Sequence, residues 1–92
     1  MEGLTEGRIV HYVLQSGKHR PAIVVHVWRV QHTSDSGLVA SENGCSNLQV
    51  FMDWDENDGG FDERPYPLAR HKTSVLYNES AEPNTWHWIE KA

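Results

Sequence analysis

Asp53-Trp54-Asp55-Glu56-Asn57-Asp58-Gly59-Gly60 sets side-chain oxygens at alternate positions, as calcium loops do at their start. The register then fails. With Asp53 as position one, Asp58 falls where such a loop needs glycine, and Arg64 where it needs the bidentate glutamate. What remains is a solvated acidic loop turning tightly through Asn-Asp-Gly-Gly. Six histidines raise the question of zinc, and His26 and His32 do stand at His-x5-His spacing. No Cys-x2-Cys pair precedes them, and Cys45 is the single cysteine. His11 and His26 fall on neighbouring strand segments and could approach each other. Such residues are expected to be hydrogen-bonded strand histidines, and no metal or cofactor is expected. The chain has no glycine-rich phosphate loop, nucleophile elbow or catalytically spaced carboxylate pair, so an enzyme is not the expectation.

The aromatic residues carry more information. Four tryptophans are many for a chain of 92 residues, and two of them form Trp86-His87-Trp88. Strand alternation puts both indoles on one face, with His87 and Ile89 on the other. Such rings either fill a core or offer a stacking surface to a planar ring such as a purine. Trp28 reads as core packing, while Trp54 and Trp86 suit either role. Arg64, Tyr66 and Arg70 share one long segment, where the two guanidinium forks could hold phosphates or simply be solvated.

The elements that must position these groups are strands. Arg8 to Leu14 is β-branched and aromatic, and ends in the turn Gln15-Ser16-Gly17-Lys18. Pro21 to Val30 is the strongest strand segment, with the faces Ala22/Val24/His26/Trp28/Val30 and Ile23/Val25/Val27/Arg29 both largely apolar. Both sides are therefore expected to be covered, by a closed barrel or a subunit interface. Pro21 suits the strand's entrance. After a polar connection from Gln31 to Ser46, Asn47 to Met52 alternates as a third strand. Asp53 to Arg70, with Gly59-Gly60, Pro65 and Pro67, reads as a long irregular loop. Thr73 to Tyr77 and Thr85 to Ile89 complete five strands. The expected fold is mainly β: one domain over residues 1–92, an SH3-like five-stranded barrel or strongly curved antiparallel sheet.

Bulk properties narrow the function. A net charge of −5, from 8 Lys+Arg against 13 Asp+Glu, disfavours duplex nucleic acid but leaves room for a small anion held by local arginines. One cysteine permits no internal disulfide, which fits a reducing cytoplasm and makes homo-oligomerisation the expected source of extra stability. The opening Met1-Glu2-Gly3-Leu4-Thr5-Glu6-Gly7 is acidic where a signal peptide is basic, and the longest apolar run, Ala22 to Val25, is far short of a membrane span.

Two resemblances add to this. Gly7-Arg8-Ile9-Val10 followed by His19-Arg20-Pro21-Ala22-Ile23-Val24-Val25 resembles the opening of the small-barrel toxin ribonucleases of the MazF type. It covers about the first third of the chain, and of the catalytic residues it could place Arg20 alone. Over most of its length the chain is similar to a family of short phage- and prophage-encoded proteins. The resembling blocks are Gly7 to Leu14, His19 to Trp28, Asn47 to Phe51, Asn57-Asp58-Gly59, Thr73-Ser74-Val75 and Thr85 to Trp88. Phage proteins of this size include sponges that sequester a cyclic nucleotide or cyclic ADP-ribose isomer made by a bacterial defence system.

The resemblance thus implies a homo-oligomeric, non-catalytic anti-defence protein in the cytoplasm of an infected or lysogenic host, binding a nucleotide-derived ligand. Trp54, Trp86 and Trp88 would stack on the base or close the pocket, and Arg64 and Arg70 would hold phosphates. Thr73, Ser74, Asn57 and Asp58 would contact ribose. The alternatives are a protein–protein inhibitor docking on a host enzyme and, third, a MazF-like ribonuclease dependent on Arg20. The failed calcium register makes its own prediction: millimolar calcium should leave the melting temperature unchanged. A clear rise that Asp55→Ala abolishes would restore the calcium reading.

Overall fold

A computed structural model describes residues 1–31, 37–52 and 69–89. The described residues form seven strands: β1 (Ile9–Val13), β2 (His19–Val27), β3 (Arg29–Gln31), β4 (Leu38–Ala40), β5 (Ser46–Phe51), β6 (Ala69–Val75) and β7 (Trp86–His87). Five form one antiparallel sheet in the order β6-β5-β2-β1-β7, and β3 and β4 form a separate hairpin. Among the described residues there is no helix, and none long and apolar enough to cross a membrane. The small, mainly β, strongly curved sheet is as expected; the Asp53–Arg70 segment lies outside the described residues up to the start of β6.

The first hairpin forms where the turn signal stands. Leu14 N–H donates to the Lys18 carbonyl at 2.8 Å, and Gly17 adopts the positive φ of 92° that a three-residue hairpin loop needs. β2 begins two residues before Pro21, which is tolerated. Val24 donates to Arg8 and Leu14 to Lys18, so the bonded pairs of β1 and β2 use even-numbered residues. Pro21 therefore faces His11 at a non-bonded position, where a missing N–H costs nothing.

The curvature has two local causes. The β2–β5 register shifts between Val24 and His26, and the β5–β6 register shifts between Ser46 and Leu48. These β-bulges bend the sheet from both sides of Asn47. The Asn47 Oδ1 accepts from Ser74 N–H at 2.9 Å and from Trp28 Nε1 at 3.1 Å, and Ser74 takes a positive φ of 53°. The bulge also corrects the alternation expected of Pro21 to Val30. Ala22 and Val24 point into the core; after the extra residue, Val27 does so instead of His26. Trp28 is not core: it is half exposed, edge-on to the His26 ring at 4.5 Å. Within the single chain Val25 and Val30 are exposed, so on their side the chain itself supplies no cover for them.

The curled sheet is pinned shut at one end. Beyond β6, Tyr77 bridges in parallel to Trp86, with Trp86 N–H donating to Leu76 and Asn78 N–H to Trp86. The Trp86 indole is fully buried among Leu48, Val10, Val24, Val27 and Val50, and its Nε1 donates to the Gly44 carbonyl at 2.8 Å. Gly44, at φ 67°, lies so close that an added Cβ would stand 2.7 Å from Tyr77 Cβ and 2.9 Å from the indole. Overpacking and a left-handed backbone together set the expected cost of Gly44→Ala at about 2–4 kcal/mol. Urea unfolding checks this, and a loss under about 0.5 kcal/mol would show that the contact is not tight.

A second clamp orients the β3–β4 hairpin. Glu6 accepts two hydrogen bonds from the Arg29 guanidinium, both 2.7 Å, and a third from Val27 N–H at 3.0 Å. The Arg29 bonds chiefly, then Glu6's own backbone N–H and that of Val27, hold the carboxyl at a pKa of about 2, below its ordinary 4.5. A depressed acid stabilises the fold above its ordinary pKa, and the contribution fades as pH falls toward 2. Wild type should therefore lose melting temperature more steeply than Glu6→Gln between those pH values. Parallel acid profiles of the two proteins would contradict the clamp.

Candidate functional site

The seven strands contain no Asp or Glu. The acidic residues of the described segments all lie in connections or at the N-terminus, so the charges on the described strands are cationic. Cross-strand register then fixes which face they leave from, because directly opposed residues share a side. Arg20 opposes Tyr12, Arg70 opposes Val50 and Lys72 opposes Leu48. All three opposing residues belong to the hydrophobic core. The three cations therefore rise from the concave side of the sheet. Lys72 confirms this by reaching across, its Nζ 6.0 Å from the centre of the Tyr12 ring.

Arg8 joins them from the end of β1. Its carbonyl accepts from Val24 N–H, and its guanidinium lies over the Trp88 ring at 5.1 Å. Trp88 is partly buried, packs on the core and meets Trp86 edge to face at 5.0 Å. A transverse row, Val10, Ala22, Val50 and Arg70, crosses the sheet beneath these groups. Above the fully buried Val10, Ala22 and Val50 the concave side carries Arg8, Arg20, Arg70 and Lys72, two aromatic rings (Tyr12 and Trp88) and the Asn84 amide, whose Oδ1 accepts from the Tyr12 hydroxyl at 3.1 Å. Burial pushes the Tyr12 phenol up, so it remains a neutral donor at physiological pH.

Against this frame the sequence-derived residues divide. Trp54, Asn57, Asp58 and Arg64 lie outside the described residues. Arg70 belongs to the concave set, and Trp88 stands at its edge with part of its ring accessible. Trp86 does not: with no exposed surface and its N–H committed to Gly44, it belongs to the buried core and has no face to stack on a ligand. Thr73 and Ser74 are exposed in the bulge beside Asn47. Arg8, Arg20, Lys72 and Tyr12 belong to the concave group too, although only Arg20 was singled out from the sequence, and for a ribonuclease. The signal for them was the cross-strand register, which a single strand's alternation does not contain.

The convex face has a different chemistry. His11 on β1 opposes His87 on β7, while His19, at the start of β2, opposes Val13 and so lies diagonally from His11. Ring centres are 5.8 Å apart for His11 and His87, 6.2 Å for His11 and His19, and 4.7 Å for His19 and His87. The approach of His11 to His26 does not occur, because Ile9 already opposes Ile23 and His26 lies beyond the end of that ladder. An open groove of about 480 Å³ lies elsewhere, against the β3–β4 hairpin. Its cations are both paired, Arg29 with Glu6 and the Met1 ammonium with Glu42, and Glu2 lines it too, so it does not suit an anion. Compared with protein-family models, curated proteins and solved structures, the chain matches none.

Proposed function

We propose that this domain is a non-catalytic binding protein that sequesters a small nucleotide-derived anion on the concave face of its sheet. The observation that carries the reading is the convergence of Arg20, Arg70 and Lys72 on one face of a chain whose net charge is negative. Guanidinium forks match phosphate oxygens in pairs, and an ammonium adds a flexible point charge. Trp88, already under the Arg8 guanidinium, offers a planar surface to a base. A cyclic nucleotide or cyclic ADP-ribose isomer has both features, and the similarity to phage-encoded proteins makes a defence signal of that class the proposed ligand. Sequestration in an infected host's cytoplasm, by a homo-oligomer, completes the reading.

A specific observation also favours a second reading, docking on a partner protein. The β3–β4 hairpin and the residue before it expose Trp28, Val30, Leu38 and Val39, four large apolar side chains on one element. Such an arm fits an inhibitor that inserts into a host enzyme.

Thermal unfolding against a panel of cyclic dinucleotides and cyclic ADP-ribose isomers separates the two. A ligand at 100 times its dissociation constant adds about 2.7 kcal/mol, a rise on the order of 10 °C for a domain this small. The rise should disappear in Arg70→Ala and Lys72→Ala, and the ligand should be recovered intact. A flat panel, or a rise indifferent to both substitutions, would remove the concave face from consideration and leave the hairpin as the functional element.

A further inference from the structure

We infer that His11, His19 and His87 form a binding site for a single divalent transition-metal ion of the zinc type on the convex face. Each imidazole offers one nitrogen, and the three nitrogens all lie within 4.8 Å of one another. Around an ion with metal–nitrogen bonds of 2.0–2.1 Å, such nitrogens stand about 3.3 Å apart. The remaining distance is within reach of side-chain rotation, and His19, which is exposed, has the freedom to supply it.

The backbone does most of the gathering. His11 and His87 are directly opposed across an antiparallel pair, so their side chains leave the same face side by side. His19 reaches them from the third strand as a diagonal neighbour of His11. Three adjacent strands thus each deliver one ring to one point. His87 is buried there, Nδ1 included, His11 is half-buried and His19 faces solvent. The site is therefore anchored on its inner side and open on its outer side.

The donor set selects the ion. Three imidazoles with no carboxylate or thiolate among them suit zinc, copper, nickel or cobalt, and do not suit calcium or magnesium, which require oxygen. Three ligands also leave the fourth tetrahedral position open toward solvent, for water or a small anion. The ion would strap β2, β1 and β7 together. That matters most for β7, a strand of two residues that pairs with β1 at two positions only. Trp86, the fully buried indole of the core, is the residue next to His87 on that strand. Metal binding should therefore report on the stability of the whole fold.

The test uses the untagged full chain, stripped with a chelator and titrated with zinc chloride at pH 7.5. Calorimetry should give one ion per chain, and the melting temperature should rise on the order of 10 °C at saturating zinc. Cobalt substituted for zinc should give the visible absorption of a tetrahedral nitrogen site. His19→Ala, at an exposed position that leaves the core untouched, should weaken zinc binding by at least the roughly 10–100-fold that even supporting residues of such sites cost. His26→Ala, on the same sheet but outside the group, should leave the affinity unchanged. The inference is overturned by the absence of binding to wild type, by equal affinity of His19→Ala and wild type, or by an equal loss in His26→Ala.

Discussion

The whole architecture hangs on how the Trp86 indole closes the sheet. A five-stranded sheet of this size has two edges, and its core is buried only if those edges are brought together. The edge strand that does so is two residues long, too short to hold by backbone hydrogen bonds alone. It is held instead by the side chain it inserts. The indole reaches the far wall of the core and donates its N–H to Gly44, while its own backbone exchanges hydrogen bonds with Leu76 and Asn78 beyond β6. The polar end of the ring is satisfied inside the protein, so burial of the large apolar surface carries no penalty for an orphaned donor. Gly44 makes this possible by having no side chain at a point where any Cβ would collide with Tyr77 and the indole.

Alternation on the same short strand then divides the protein's chemistry. Placing Trp86 inward obliges His87 outward, next to His11 and His19. It also returns Trp88 to the core side, where Arg8 covers it. One three-residue stretch therefore supplies the core's largest buried ring, an imidazole of the convex cluster and an aromatic rim to the concave face. The two faces are not independent in energy: whatever stabilises β7 from outside also holds Trp86 in place inside.

Legibility in the sequence followed the range of the interactions. The β1–β2 hairpin was readable because a glycine-bearing turn and two β-branched runs are local signals, as was the alternation of β5. Trp86 and Trp88 on a shared face were readable for the same reason. The β3–β4 hairpin was not, since Leu38-Val39-Ala40 is too short to show a period and lies in a polar connection. The break at Trp28 was not either, because a bulge depends on which residue the neighbouring strand presents, here Asn47. That single inserted residue reversed the in-and-out reading of His26, Val27 and Trp28. The histidine cluster failed most instructively. Its members are distant in sequence, at positions 11, 19 and 87, so no spacing motif contains them, and only the register of three strands brings them together.

Register also explains why an acidic chain presents a basic face. Net charge averages over the whole chain, whereas the described strands carry no acidic residue. Interactions between exposed charges fade beyond a Debye length of about 8 Å at physiological ionic strength, so the local set governs what binds. On the concave side that set is three strand cations and Arg8 above the buried core; on the convex side it is three imidazoles. The first arrangement favours an anion with a planar ring and the second a soft cation. One curved sheet thus carries different side-chain chemistry on its two faces, because strand alternation sorts the side chains there.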